Sequence, residues 1–227
     1  MKIISWNMGC GFDTGGYRAR HAQARAWLFD RERPDVALLQ EVILGDLPDG
    51  KGLTCVKVPT SPGEPTGTAI VARPAGRSLP FVLDSAGVAA AEVELAGRLV
   101  VIVSAHVLTG PGQERALGEF VRMTKELVGD RPCIVGGDFN ASVHWPEYRG
   151  WFFDPMRVAG FHDTRPGQHE VQSYWGRGSK ARIQDDHVFV GGRVGRVASW
   201  QIIDDEDHRR WSDHGPVTLE LDEIPRG

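Results

Sequence analysis

Cysteine is scarce. Cys10, Cys55 and Cys133 are the three cysteines in 227 residues. Their odd number and spacing argue against a disulfide framework and a thiolate zinc site, and fit a reduced, cytoplasmic setting. Long apolar runs are missing too. None approaches the ~20 residues that a membrane span needs, and no charged-then-apolar leader follows Met1, so neither a membrane partner nor a signal peptide is expected. Positive charge is not in excess. Lys and Arg number 26 against 30 Asp and Glu, for a net charge of -4 and a pI near 6.1. That argues against a broad basic face that coats nucleic acid, while leaving room for a nuclease with a local basic rim. There is no 20–50-residue repeat and no low-complexity linker.

What is present is ordinary globular material, 41% hydrophobic and 25% charged. The length suits one sizeable core, so residues 1–227 are expected to form a single domain. Residues 2–7 read as a buried strand ending at Asn7, followed by a glycine-rich stretch. Residues 17–32 fit a helix stopped by Pro34. Residues 35–41 are a strand too apolar to face water, and strand-like runs recur at 66–73, 88–95 and 98–105. Residues 112–128 fit a second helix. Cys133-Ile134-Val135 is another buried strand, leading to Asp138. Residues 146–159 are compatible with a helix, 184–190 and 196–203 with strands, and 214–221 closes the chain. Pro59–Gly63 and Arg177–Lys180 read as loops. Many strands with few helices, some joined too tightly for helical crossovers, indicate an α/β domain with mixed or antiparallel sheets.

The chemistry-bearing residues sit at the ends of these strands. Gly136-Gly137-Asp138-Phe139-Asn140 follows one apolar run, and Ser212-Asp213-His214 precedes the last. Asn7, Glu41, His106 and Asp186 each close or open another. Hydrolysis of a phosphoester requires positive charge on the phosphoryl oxygens, an activated water, and a proton or metal for the leaving oxygen. Glu41, Asp138, Asp186 and Asp213 supply hard carboxylate oxygens of the kind Mg²⁺ or Mn²⁺ takes. Asn7 and Asn140 supply amides, and His106 and His214 exchange protons near neutral pH. Each has a plain alternative: Glu41 as a surface cap, Asp138-Phe139-Asn140 as an Asx turn, Asp213 as a turn cap, His106 as a core histidine. The functional reading rests on their recurrence at six strand ends.

The order of these pieces resembles the endonuclease/exonuclease/phosphatase superfamily, which includes DNase I-like nucleases, AP endonucleases, inositol polyphosphate 5-phosphatases and neutral sphingomyelinases. The matching segments are Ile4–Asn7, Pro34–Glu41, Ser104–His106, Gly137–Asn140, Gly160–Thr164, Ser173–Trp175, Asp186–Phe189 and Ser212–His214. The resemblance implies a four-layer α/β/β/α sandwich, two packed mixed sheets flanked by helices, with the site at one edge. It also implies roles. Glu41 would be the principal metal ligand, with Asn7 and Asp213. Asp138 would orient or deprotonate the attacking water, and Asn140 would donate to a non-bridging phosphate oxygen. His214 would contact the phosphate, with Asp186 (or its neighbour Asp185) holding its imidazole, and His106 would polarise the phosphate or protonate the leaving oxygen. Asp163 is expected to be structural. One departure is the short Met8-Gly9-Cys10-Gly11 stretch after Asn7, where AP endonucleases carry an extended loop.

The superfamily does not specify a substrate. Arg177, Lys180 and Arg182, with Arg209 and Arg210, are placed to grip extra phosphates on rim loops, though Asp204, Asp205, Glu206 and Asp207 blunt the second cluster. Trp175, with Trp145, Trp151 and Trp211, could stack on a base; Trp6 and Trp27 read as core. A hydrolase of a small phosphorylated metabolite or nucleotide, a DNA or RNA nuclease, and a catalytically inactive binding module follow in that order. A monomer is the default.

Overall fold

The computed structural model describes residues 1–9, 16–50, 52–83, 86–167, 171–175, 183–192 and 194–222. Cys10, Arg177, Lys180 and Arg182 lie outside them. The strands are β1 (Lys2–Asn7), β2 (Val36–Ile43), β3 (Thr54–Pro59), β4 (Thr66–Ala72), β5 (Gly76–Ser78), β6 (Ala86–Leu95), β7 (Arg98–Val107), β8 (Cys133–Asp138), β9 (Phe161–Asp163), β10 (Asp186–Gly191), β11 (Val197–Ile202) and β12 (Val217–Leu221). The α-helices are α1 (Tyr17–Ala26), α2 (Gln113–Val128), α3 (Pro146–Tyr148), α4 (Asp154–Val158) and α5 (Glu206–Trp211). α1 continues into a π-helical turn, Trp27–Glu32, which ends at Arg33 in the left-handed region just before Pro34.

The strands form two six-stranded sheets, in the orders β11-β12-β1-β2-β4-β3 and β5-β6-β7-β8-β10-β9. Both are mixed. β1 and β2 are parallel and joined through α1, and β7 and β8 are parallel and joined through α2. The remaining pairs are antiparallel.

Alternation along each strand sorts the core into layers. Ile3, Val36, Leu38 and Ile70 of the first sheet meet Ala91, Ile102, Ile134 and Val188 of the second between the sheets. Ile4, Trp6, Ala37 and Leu39 point the other way, against Leu28 and Trp27. Val101, Val103 and Val135 pack outward on Leu117, Phe120, Phe152 and Met156. Both faces of the central strands are therefore dry, which is why they read as continuous apolar runs. The four-layer α/β/β/α sandwich is the observed fold.

α2 follows from spacing. Ala116, Leu117, Phe120, Val121, Thr124 and Val128 fall on one buried face, and Arg122 pairs with Glu126 at 2.6 Å on the outer one. The three strands absent from the sequence reading, β3, β5 and β9, are short or lie at sheet edges, and α5 is absent from it as well. α5 is a six-residue helix capped by Asp205, whose carboxylate accepts from His208 N.

Candidate active site

Topology brings the strand ends together. The parallel strands β1, β2, β7 and β8 present their C-terminal ends on the same side of the sandwich. β10 and β12 run antiparallel to β8 and β1, so they present their starts there. Across the second sheet His106 is in register with Asp138, and Asp138 with Asp186.

Short polar turns aim the side chains. Asp138 Oδ1 accepts the backbone N–H of Asn140 at 2.9 Å. Asn7 Oδ1 accepts from Gly9 N at 3.0 Å, and Ser212 Oγ accepts from His214 N at 3.0 Å while donating to the Asn7 carbonyl at 2.8 Å. The Asx-turn reading of Asp138 is thus true as well: one oxygen makes the turn and the other faces the site. Phe139, fully buried among Phe120, Phe152 and Phe189, anchors that turn from behind. Trp6 does the same for β1, donating from Nε1 to the His214 carbonyl at 2.9 Å.

Two residues carry backbone conformations unusual for side chains with a Cβ. Glu41 has φ 47° at a bulge in β2, where the pairing with β4 slips between Leu39 and Val42. Asn140 has φ 49° just past β8. Such conformations cost on the order of 1–3 kcal/mol and cluster at functional positions. The bulge turns Glu41 toward Asn7, whose Nδ2 donates to Glu41 Oε1 at 3.2 Å and to Asp138 Oδ2 at 2.8 Å.

The histidines face the same carboxylates. His106 Nε2 lies 3.7 Å from both Glu41 Oε1 and Asp138 Oδ2. His214 Nδ1 bonds Asp186 Oδ2 at 2.8 Å, and its Nε2 sits 3.8 Å from Asp138 Oδ2. Burial opposes charge on His214, but Asp186, Asp138 and Asp213 outweigh it and push its pKa up to about 10. Asp186, rather than Asp185, makes the hydrogen bond. Burial, then the charges of Asp138 and Asp186, push Asp185 up to about 7. Ser173 Oγ accepts from the backbone N–H groups of Asp185 and Asp186 at 3.0 and 3.1 Å.

These groups border a cavity of about 410 Å³, lined by Glu41, His106, Asp138, Asn140, Asp213 and His214 on its polar side. Leu108, Trp145, Tyr148, Tyr174 and Ile183 form the apolar side. Asn140 Nδ2 donates one hydrogen to the Val107 carbonyl at 3.0 Å, which orients its amide.

The proposed gripping groups are placed differently. Arg210 does not line the cavity; it pairs with Glu206 and Asp207 on its own helix. Trp175 also stands outside the lining, with the Arg209 guanidinium 5.2 Å from its ring centroid. Trp211 packs with Trp6, Trp27 and His208, and Trp151 packs against the core. Of the four tryptophans considered for stacking, Trp145 lines the cavity, half-exposed and stacked on Tyr148. Asp163 accepts the Arg165 N–H at 3.0 Å, a turn contact. Ser173, Ser212, Tyr148 and Tyr174 were not singled out from sequence; the Ser-Tyr-Trp and Ser-Asp-His segments contained three of them without marking their contacts.

A profile of the endonuclease/exonuclease/phosphatase family matches residues 4–214. The chain belongs to that family. Among solved structures it is similar to a humanized D. rerio TDP2, with 18% identity, coverage of 98% of this chain and 99% of that one, and a TM-score of 0.72. It is similar to a mannosyl-6-phosphatase from Bacteroides thetaiotaomicron at 17% identity, covering 98% and 100%, with a TM-score of 0.70. The endonuclease domain of TRAS1, a telomere-specific non-LTR retrotransposon, matches at 14% identity over 97% of each chain, with a TM-score of 0.69. At these identities the likeness concerns the fold. No curated protein matches the chain. As a member of the family, the chain is a phosphoesterase-type hydrolase by class.

The donor set fits a divalent cation. Glu41, Asp138, Asp185 and Asp213 line the cavity, and no Lys or Arg does so among the described residues. The raised pKa of Asp185 comes first from burial and then from the same excess of negative charge. Ligand atoms of Asp138, Asp186 and His214 lie within 4.8 Å of one another. Asp186 and His214 already satisfy each other at 2.8 Å, so a cation between them would break that ion pair. On the Glu41 side of Asp138 a cation would displace the Asn7 Nδ2 hydrogen bonds, which a turn of that amide to present Oδ1 would replace.

Proposed function

We propose that this protein is a Mg²⁺- or Mn²⁺-dependent phosphoesterase that hydrolyses a small phosphorylated metabolite or nucleotide by attack of an activated water. The observation that carries the reading is the convergence of Glu41, Asp138 and His214 on one cavity, with Asn7 and Asp186 bonded to them from behind. Glu41, Asn7 and Asp213 would hold the metal. When bound, it would neutralise phosphoryl charge and stabilise the charge that develops during hydrolysis. Asp138 orients and deprotonates the attacking water. The second hydrogen of Asn140 Nδ2 is available to a non-bridging oxygen. His214, held charged by Asp186, offers its Nε2–H to the phosphate, and His106 delivers the proton to the leaving oxygen.

Cavity character supports a small substrate. A carboxylate-rich pocket with an aromatic side suits one phosphate on a compact body better than a polyanionic strand. The second reading, a DNA or RNA nuclease, is favoured by Trp145, 43% exposed at the cavity, where a base could stack. We place the protein in a reduced, cytoplasmic compartment; Cys55 and Cys133 are free thiols, and no helix among the described residues is long and apolar enough to cross a membrane.

The test is a Mg²⁺-dependent assay run side by side on supercoiled plasmid and a nucleotide monophosphate panel, with Asp138→Ala as the blank. Phosphate release without nicking is the expected result. Nicking that is absent from the blank and falls steeply with salt would establish the nuclease instead. Retained metal binding without turnover of any phosphoester would favour an inactive binding module.

A further inference from the structure

A second cavity, about 530 Å³ in volume, lies on the other side of the segment that borders the catalytic one. Val143, His144 and Arg149 face it, whereas Ser142, Trp145 and Tyr148 face the catalytic cavity. Its chemistry is opposite in sign. Arg149, Arg157 and Arg165 line it against two carboxylates, Asp154 and Asp163.

Arg165 is the unusual member. Its side chain is only 8% exposed. Its Nε and Nη1 are buried without a hydrogen-bond acceptor. The Asp163 carboxylate stops 3.9 Å from Nε, beyond hydrogen-bonding distance. That carboxylate is engaged elsewhere: Oδ1 takes the Arg165 backbone N–H at 3.0 Å and Oδ2 lies 3.8 Å from His187 Nδ1. Taking a guanidinium out of water costs several kcal/mol unless its donors are met. Guanidinium donors left unmet in the wall of a cavity call for an acceptor, and a small shift of Arg165 toward the void would offer them to an oxyanion.

The rest of the cavity suits such a guest. Arg157 is exposed and its nearest carboxylate, Asp154 at 3.2 Å, is exposed as well, so this pair contributes little and can open at small cost. Phe153 and Phe161 supply an apolar wall. We propose that this cavity is a second, non-catalytic anion site, which takes the oxyanion group of a small molecule on Arg165, with Arg149 and Arg157 at its rim. An occupant would brace the 142–149 segment and thereby the Trp145–Tyr148 side of the catalytic cavity. The proposal does not depend on the reaction assigned above.

The experiment is calorimetric titration of the whole chain with inorganic phosphate and with benzoate, in EDTA and at low ionic strength. Without a divalent cation the carboxylate-rich catalytic cavity repels both probes. At least one probe should bind with one-to-one stoichiometry. Arg165→Met should weaken that binding at least tenfold, and the exposed pair Arg149→Gln/Arg157→Gln at least threefold, whereas Asp138→Ala should leave it unchanged. Phosphate alone, or benzoate alone, identifies the oxyanion class. The double variant keeps the test decisive if Arg165→Met folds poorly, since both its positions are exposed. No binding of either probe to the wild-type chain would overturn the site, and so would binding that survives the arginine changes or disappears with Asp138→Ala.

Discussion

His214 and Asp138 are the residues on which the proposed chemistry turns, and their surroundings say how each should fail. Asp138 divides its oxygens between the Asn140 turn and Asn7. Asp138→Ala removes both contacts and the proposed base, and is expected to lower kcat at least 10³-fold. His214→Ala should do the same; circular dichroism will check that each variant folds. Near-normal turnover in either would refute its role. Glu41 makes a narrower prediction. Glu41→Gln keeps the side chain's shape and its bond to Asn7, so the main effect should be a Mg²⁺ half-saturation at least tenfold higher, measured by activity titration. These residues were legible because metal- and phosphate-competent groups recurred at strand ends. The left-handed backbone of Glu41 was not, because nothing in Leu-Leu-Gln-Glu-Val marks a bulge; only the slipped pairing with β4 does.

At the scale of the element, β8 is the most constrained strand. A Cβ on Gly137 would lie 1.9 Å from the Ala105 carbonyl oxygen, and φ there is 151°. The glycine lets β7 and β8 approach at the register that aligns His106 with Asp138. Gly137→Ala is expected to destabilise the fold by roughly 3 kcal/mol or more, read as a lower urea midpoint, and to cost activity in whatever folds. The apolar strands and α2 were legible because burial on both faces, or on one face at helical spacing, writes itself into composition. β3, β5 and β9 were not. A short edge strand buries little, so Thr-Cys-Val-Lys-Val-Pro reads equally as loop. α5 also escaped notice, since its acidic start and basic end resemble a charged loop until Asp205 is seen capping it.

Across the whole molecule, stability should depend on pH through the packed carboxylates and the buried histidines, His214 above all. Asp185 is raised above its unfolded value, so its folded environment favours the protonated form. Stability from this group is fully present below the usual carboxylate range and is lost as pH rises toward about 7. His214 acts in the same direction higher up: its contribution is present below about 6.5 and is lost as pH rises toward about 10. His21, whose pKa burial lowers, acts the other way between pH 5 and 7; the larger shifts of Asp185 and His214 outweigh it, so in EDTA the melting temperature should fall from pH 5 to pH 8. Asp185→Asn should flatten the lower part of that fall, which is worth at most about 4 kcal/mol. Mg²⁺ should restore more stability at pH 8 than at pH 5. A melting temperature that rises with pH in EDTA would count against the carboxylate cluster. The sequence by itself determined the layered α/β class, the family and the identities of the strand-end residues, because local periodicity and motif order carry that information. The tertiary structure alone decided which of them meet: Asp186 rather than Asp185 on His214, Arg210 turned back onto its own helix, Trp145 at the cavity. Those outcomes depend on strand register and on competition among charges distant in sequence, which no local pattern records.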